Sequence, residues 1–458
     1  MAGYVIIGNG VAGIKAAEQI RKSDSDSEIT MVGEENYPFY YRPQLPGYIC
    51  GSVDEGKLWG KKKSFYADNG ITLLLGQSVI NVNDCKNEVV LSDRTVINYD
   101  SLLIATGGSI KSREYPGSDL NGGIVQLKTI DDAKNIKERI KKAKNAVVVG
   151  EDFLTLSLVE ALNKSGIAVT YLLRGDSLWP DVMDKDASKV LEIKLSEKGI
   201  KIQHETDIKE IVIKNKAVQG VITTNDVFIE CQIVGAIDKL KPNIGFLGDS
   251  GVNVSDGVLV DNNMRTNVDN IYAAGDVAQL SNDRGNDIPK INIRWLKAWK
   301  QGQVAGSNMT GNDAEYDDIS CISSTQVCGV DLISIGISNP LNGGYKIMRG
   351  DYPHPEIDVY KKLVLKDNKV VGALLVGNVL EAGAITRVIR NKTKYSEIDE
   401  TLLKQMFDFN YPRSPFRGFL CPVCKLELNI SPDAKVGDKI VCPACGIELK
   451  VTERMLGR

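Results

Sequence analysis

The chain opens on an apolar run, Gly3 to Ile7, rich in Val and Ile, changes to Gly8-Asn9-Gly10-Val11-Ala12-Gly13, and then spaces its apolar residues at Ile14, Ala17 and Ile20. A short apolar run followed by three-to-four spacing predicts a buried strand, a glycine turn and a helix. After the polar stretch Ser23 to Ser27, a second strand is expected at Ile29-Thr30-Met31-Val32, ending at Gly33-Glu34-Glu35, which completes a βαβ unit. The same pattern returns at Ala146-Val147-Val148-Val149-Gly150, runs through a helical spacing to Leu162 and reaches a strand at Ala168 to Leu172. The chain therefore holds an imperfect internal repeat. Short alternating runs follow, among them Lys361 to Leu365 and Val370 to Val376 around Asp367-Asn368, which predict a hairpin. Tyr411-Pro412-Arg413-Ser414-Pro415 reads as a linker into the last forty or so residues.

Length changes this picture only by multiplying it: 458 residues suggest about three domains at roughly 150 residues each. Apolar residues are 43% and charged residues 25%, an ordinary globular balance. Lys plus Arg (56) against Asp plus Glu (59) leaves −3, which gives no electrostatic case for a nucleic-acid partner. The only histidines, His204 and His354, have no partner motif, which excludes a His-rich metal site and disfavours a Ser-His-Asp triad. No run approaches the roughly 18 apolar residues of a membrane span, and no basic and apolar leader precedes the first strand. The expected compartment is the cytoplasm, where Cys50, Cys85, Cys231, Cys321 and Cys328 would stay reduced.

The glycine turn carries the first candidate chemistry. A pyrophosphate must approach backbone closely: the first glycine allows the tight turn, the second lets phosphate near, and the third lets helix pack on strand. Gly8, Gly10 and Gly13 hold those places, with Val11 and Ala12 opening the helix. The acid expected about 20 residues on, for the ribose hydroxyls, is Glu35, with Glu34 the less favoured alternative.

At this point the chain resembles the FAD-dependent pyridine-nucleotide oxidoreductases with two dinucleotide domains, especially their rubredoxin-reductase and nitrite-reductase flavoprotein branch, over residues 3 to about 410. Further motifs carry the resemblance: Tyr40-Tyr41-Arg42-Pro43-Gln44-Leu45, Ala105-Thr106-Gly107-Gly108, the segment Thr266 to Val277 (TNVDNIYAAGDV), and Trp295, Ala298, Gln301 and Gly302 in the helix after it. The resemblance implies FAD, with Asp276 on the ribityl chain and Gly275 letting backbone approach the flavin. It also implies a homodimer. A redox cysteine found in some relatives has no counterpart, since Pro43 stands in its slot and Cys50 comes seven residues later.

The second repeat departs from the pattern for NAD(P)H. Its loop reads Gly150-Glu151-Asp152-Phe153-Leu154-Thr155. A carboxylate about 4 Å from a phosphate charge costs roughly 1–4 kcal/mol, so Asp152 opposes a bound pyrophosphate, and Thr155 adds bulk where helix and strand should touch. Ser157 replaces the family's glutamate, Leu173 stands in place of the ribose acid, and Asp238 and Lys239 replace a glycine before Pro242-Asn243. Arg174 alone is expected to suit a 2′-phosphate. Together these changes argue against ordinary NAD(P)H binding.

The tail supplies Cys421-Pro422-Val423-Cys424 and, seventeen residues on, Cys442-Pro443-Ala444-Cys445. Two CxxC knuckles at about 15 to 20 residues' separation place four thiolates around a metal. The spacing leaves three readings open: structural zinc, a one-electron iron site, or thiolates shared with an iron–sulfur cluster of a partner. The run Lys61-Lys62-Lys63 reads either as a solvated face or as an attraction for an acidic carrier.

The expected fold is α/β, with two Rossmann-like domains, an α+β C-terminal domain and a small four-cysteine ribbon. The resemblance divides it into an FAD-binding domain over 1–107 and 245–312, a degenerate NAD(P)-type domain over 108–244, a C-terminal or dimerisation domain over 313–410 and the ribbon over 411–458. The expected function is electron exchange between FAD and a ferredoxin- or rubredoxin-type protein, with NAD(P)H use open. The alternatives are a flavin-bearing subunit docked by its ribbon into a larger redox complex, and an NAD(P)H oxidase or reductase with a divergent nucleotide site.

Overall fold

The structure is a computed structural model that describes residues 3–111, 113–118, 124–281, 295–316, 322–340, 343–350, 359–408, 419–421, 427–428, 430–431, 433–442 and 448–456. Cys321, His354, the linker 411–415, Cys424 and Cys445 lie outside them. The chain divides into two compact units, Met1–Gly175 with Ile200–Asp317, and Asp176–Gly199 with Asp318–Arg458.

In the first unit the internal repeat becomes two parallel five-stranded sheets of the same design. One runs Ile271–Ala273, Ser101–Ile104, Gly3–Ile7, Glu28–Gly33, Ile71–Leu75 in spatial order. The other runs Lys201–Gln203, Ala168–Leu172, Asn145–Val149, Ile233–Ala236, Ile124–Val125. In each, the strand before the glycine turn is central and pairs in equivalent register, Ile7 with Val32 and Val149 with Leu172. Parallel strands covered on both faces need continuous apolar runs. Accordingly Ile6, Met31, Leu103, Val147, Val148 and Tyr171 are all fully buried.

The helices Val11–Ser23 and Trp295–Met309 meet almost backbone to backbone. A Cβ on Gly302 would lie 2.2 Å from the Ala12 carbonyl oxygen, and one on Gly306 2.5 Å from that of Ala16. This close approach holds the helix after the Gly275-Asp276 segment against the first glycine turn: the Gln301 Oε1 accepts a hydrogen bond from the Gly275 N–H at 2.9 Å.

The second unit carries an antiparallel sheet in the order Ile322–Val327, Val330–Gly336, Lys369–Val376, Tyr360–Lys366, Lys346–Arg349, with helices Ala382–Arg390 and Glu400–Phe407. The expected hairpin is present, and Asp367 and Asn368 take the left-handed conformation that its two-residue turn demands, at φ 49° and 58°. Lys361 is fully buried and its ammonium lies 2.6 Å from Glu381, itself 5% exposed. Lys362 is paired with Asp184 at 2.7 Å, and the Tyr360 hydroxyl donates to the same carboxylate. The tail forms two small hairpins, Phe419–Leu420 with Glu427–Leu428 and Lys439–Val441 with Glu448–Lys450. Among the described residues no helix is long and apolar enough to cross a membrane.

Removing one partner of a buried ion pair strands the other charge, at a cost of about 3–5 kcal/mol. Glu381→Ala should therefore lower the unfolding free energy of the second unit by an amount of that order, read as a lowered denaturant midpoint, and the double variant Lys361→Met, Glu381→Leu should recover most of it. Equal midpoints for Glu381→Ala and the wild type would contradict the pairing.

Candidate functional site

The C-terminal ends of the first sheet open into a cavity of about 660 Å³, within the usual range for ligand pockets. Of the residues singled out in the sequence, Gly8, Gly10, Val11, Ala12, Glu34, Glu35, Arg42, Pro43, Ala105, Thr106, Gly107, Gly275, Asp276 and Trp295 all line it. Gly13 sits behind the wall, where a Cβ would lie 2.0 Å from the Gly8 carbonyl oxygen. Gly8 has φ 119°, and a Cβ there would lie 2.1 Å from the Ala105 carbonyl oxygen. Gly10 is different: a Cβ would meet nothing within 4 Å, so its backbone faces open space. Gly10 also caps the helix without any side-chain hydrogen bond, and the first turn carries no acid. The helix thus presents free amides and the positive end of its dipole to the cavity.

Charged side chains complete the walls. Glu35 receives Arg42 Nη2 at 2.6 Å and the Tyr40 hydroxyl at 2.6 Å. Arg42 Nη1 reaches Tyr40 Oη at 2.7 Å and the Lys128 carbonyl at 3.0 Å. Burial raises the Tyr40 phenol far above its usual range, with Arg42 opposing and Glu35 reinforcing that rise. Glu34 is more exposed, and its carboxylate accepts from Ser78 at 3.3 Å. Across the cavity, Lys128 Nζ lies 3.5 Å from Asp276 Oδ2. Burial lowers the Lys128 pKa below the ordinary lysine value, with Asp276 pulling the other way.

Sequence reasoning missed Lys128. Its backbone is fixed by a capping box, in which Asp132 accepts from the Lys128 and Thr129 N–H groups at 3.0 and 2.8 Å while Thr129 caps the helix Ile130–Ile140. The T-x-x-D spacing of that box was visible in the chain; the 148-residue separation from Asp276 was not. Asn243, read as part of the second site, instead belongs to this cavity. Its carbonyl accepts from Thr106 Oγ1 at 2.9 Å and its N–H donates to the Gly107 carbonyl at 3.0 Å.

An aromatic cluster connects the wall to the surface. Trp295 stacks on Phe39 with ring centroids 5.9 Å apart and lies 5.8 Å from Tyr41, which is 39% exposed. Gly60 makes the room, since a Cβ there would come within 2.4 Å of the Phe39 ring. The Lys61 N–H donates to the Phe39 carbonyl, so the lysine run begins beside these rings, with Lys62 and Lys63 exposed.

In the second repeat the helix Phe153–Lys164 is capped by its own chain: Asp152 Oδ1 accepts from Thr155 N and Thr155 Oγ1, both at 2.8 Å. Thr155 is fully buried and occupies the space beside Gly150, where a Cβ would lie 2.5 Å from Thr155 Oγ1. Arg174 corrects the expectation of a free 2′-phosphate ligand. Its Nε bonds Asp207 at 3.0 Å, Nη1 bonds Asp238 at 3.0 Å, and Nη2 bonds the Tyr115 hydroxyl at 3.0 Å.

Residues 3–305 match the family described as pyridine nucleotide-disulphide oxidoreductase, and residues 323–393 match the rubredoxin NAD+ reductase C-terminal domain. The chain belongs to the pyridine nucleotide-disulphide oxidoreductase family. It falls in the rubredoxin-reductase branch, as the motifs implied, and is an FAD-dependent oxidoreductase with a Rossmann-like α/β fold. NADH-rubredoxin oxidoreductase of Clostridium acetobutylicum is 30% identical over 396 residues, which cover 86% of this chain and 96% of that protein. The crystal structure of NADH:rubredoxin oxidoreductase from Clostridium acetobutylicum gives a TM-score of 0.72 at 28% identity, covering 88% of this chain and 99% of that one. The NAD(P)H nitrite reductase of Bacillus subtilis is 28% identical over 404 residues, but this chain spans only 49% of its length. Family membership supports FAD and a nicotinamide nucleotide as the cofactors of this fold.

The residues of the first cavity fit FAD: glycine backbone open to space and an uncapped helix N-terminus suit a dinucleotide's pyrophosphate, and Arg42 and Lys128, each paired with a carboxylate of the wall, line the same cavity. Gly10→Asp, which copies the carboxylate of the second loop, should weaken FAD binding by about 1–4 kcal/mol, read as loss of the flavin absorbance that co-purifies with the chain. Alkaline pH gives an independent check. The Lys128 charge is present below its lowered pKa and lost as pH rises through it, so FAD affinity should fall in a window that begins below the ordinary lysine value of 10.5. Lys128→Arg keeps its charge there and should flatten that fall; an unchanged profile would remove Lys128 from the binding set.

Proposed function

We propose that this FAD-dependent oxidoreductase exchanges electrons between its flavin and a ferredoxin- or rubredoxin-type iron–sulfur protein. The observation that carries the proposal is the ring cluster Trp295, Phe39 and Tyr41, which runs from the cavity wall to an exposed edge beside Lys61, Lys62 and Lys63. A flavin supplies hydride or single-electron transfer. The chain's own work is to hold it, with Gly8, Gly10, Val11, Ala12 and Gly13 at the pyrophosphate, Glu35 or Glu34 at the ribose, and Asp276 at the ribityl chain. Arg42 and Pro43, Ala105 to Gly107, Gly275 and Trp295 line the remainder. The names of the relatives support the carrier class, and the family resemblance supports a homodimer.

The tail is proposed to bind a metal through Cys421, Cys424, Cys442 and Cys445. Cys421 and Cys442 are fully buried, and each directly follows the first strand of one small hairpin. Among the described residues no group of three or more candidate ligands assembles, Cys424 and Cys445 lying outside them. Zinc is the default for a closed four-thiolate site; iron or a shared iron–sulfur cluster are the alternatives. The ribbon also favours a second reading, in which it docks a flavin-bearing subunit into a larger redox complex.

Two measurements test this. Reduced ferredoxin or rubredoxin mixed anaerobically with the oxidised protein should bleach the flavin at a rate that falls with ionic strength, and Lys62→Glu with Lys63→Glu should slow it several-fold. Bleaching by neither carrier would remove the proposed partner class. Metal analysis should find zinc or iron in proportion to chain, lost in Cys421→Ser with Cys442→Ser; a metal-free wild type would remove the ribbon site.

A further inference from the structure

In parallel α/β sheets a dinucleotide binds in the crevice outside the carboxyl ends of the strands. In the second sheet three adjacent strands end there, at Val149, Leu172 and Ala236. The residues that follow each end are bonded to one another. After Val149, the Glu151 carboxylate accepts the Gly175 N–H at 2.5 Å, and Asp152 caps its own helix. After Leu172, Arg174 is held by Asp207, Asp238 and Tyr115. After Ala236, Asp238 accepts from Arg174, and Arg113 adds contacts to Asp207 at 2.9 Å and Asp238 at 3.6 Å.

The charge balance follows directly. The two guanidinium groups of Arg113 and Arg174 stand against the two carboxylates of Asp207 and Asp238, and Glu151 and Asp152 add two negative charges. A nicotinamide dinucleotide brings a pyrophosphate, and NADPH a further phosphate. It would have to displace Asp152 from the amide of Thr155, and it would find the arginine best placed for a 2′-phosphate already bonded on three sides. The equivalent positions of the first repeat show the contrast. Gly10 leaves its helix N-terminus open where Asp152 closes its own, and Gly13 has no side chain where Thr155 is packed.

We propose that the second dinucleotide crevice of this protein, whose polar side chains are already paired with one another and whose helix N-terminus is capped by Asp152, admits neither NADH nor NADPH, so electrons enter and leave the flavin without a nucleotide docked there. The nicotinamide nucleotide that the family supports does not fit the residues of this chain. The inference rests on the family reading of the two repeats but not on the identity of the protein carrier or of the ribbon metal.

The test is calorimetric titration of the FAD-loaded protein with NADH and with NADPH, each to about 1 mM, the upper end of ordinary substrate affinities. The wild type should take up neither. The double variant Asp152→Gly, Thr155→Gly should gain affinity for NADH by at least about tenfold. A wild type that binds either nucleotide below about 1 mM overturns the proposal without need of any variant. A folded, flavin-loaded double variant that still ignores both would overturn these side chains as the cause. Because flavin retention is read separately from its absorbance, loss of FAD would count against the first site rather than against this inference.

Discussion

A helix N-terminus leaves its first amides without intrahelical partners, and something negative must meet them. This protein solves that constraint twice, in opposite ways. In the first repeat the strand Gly3–Ile7 delivers a helix whose cap, Gly10, has no side chain and makes no capping bond, so the amides face the cavity. In the second, Asp152 supplies the anion from within the chain. The two repeats pair their central strands in equivalent register and differ in what stands at the helix start.

The rest of the first unit follows from keeping that N-terminus open and correctly aimed. Gly13 lets the helix settle on the strand, and Gly302 and Gly306 let a second helix settle on the first. Through Gln301 that second helix holds Gly275, and with it the neighbouring Asp276, against the cavity opposite Lys128. At Gly13, Gly302 and Gly306 a Cβ would collide with a carbonyl oxygen at about 2.0–2.5 Å, so the first cavity is built by small residues at close approaches as much as by polar groups that face it.

Much of this was legible in the chain because it is local. Strand ends, the glycine turn and the hairpin at Asp367-Asn368 are all signalled within a few residues, and the structure places them as the periodicity predicts. The cavity lining from Ala105 to Gly107 and at Gly275-Asp276 was legible only through ordered motifs shared with a family. Lys128 was missed and Asn243 was assigned to the second site because their partners lie more than a hundred positions away. Arg174 was misread for the same reason: a cation at a strand end looks available until Asp207 and Asp238, 33 and 64 positions along, fold onto it. Cysteine spacing signals a candidate four-thiolate site but carries no information on which metal it would hold, because zinc and iron accept the same tetrahedral set.

The central claim is that one repeat takes the flavin while the other is closed to the nucleotide that would normally feed it. An anaerobic visible spectrum of the purified protein tests both halves at once. The account predicts a flavin band near roughly 450 nm that stays unchanged on adding NADH and then NADPH, and that bleaches when a reduced iron–sulfur carrier is supplied. A band that bleaches within seconds of either nucleotide would contradict it, and would mean that Asp152, Thr155 and the bonded Arg174 do not keep the second crevice shut.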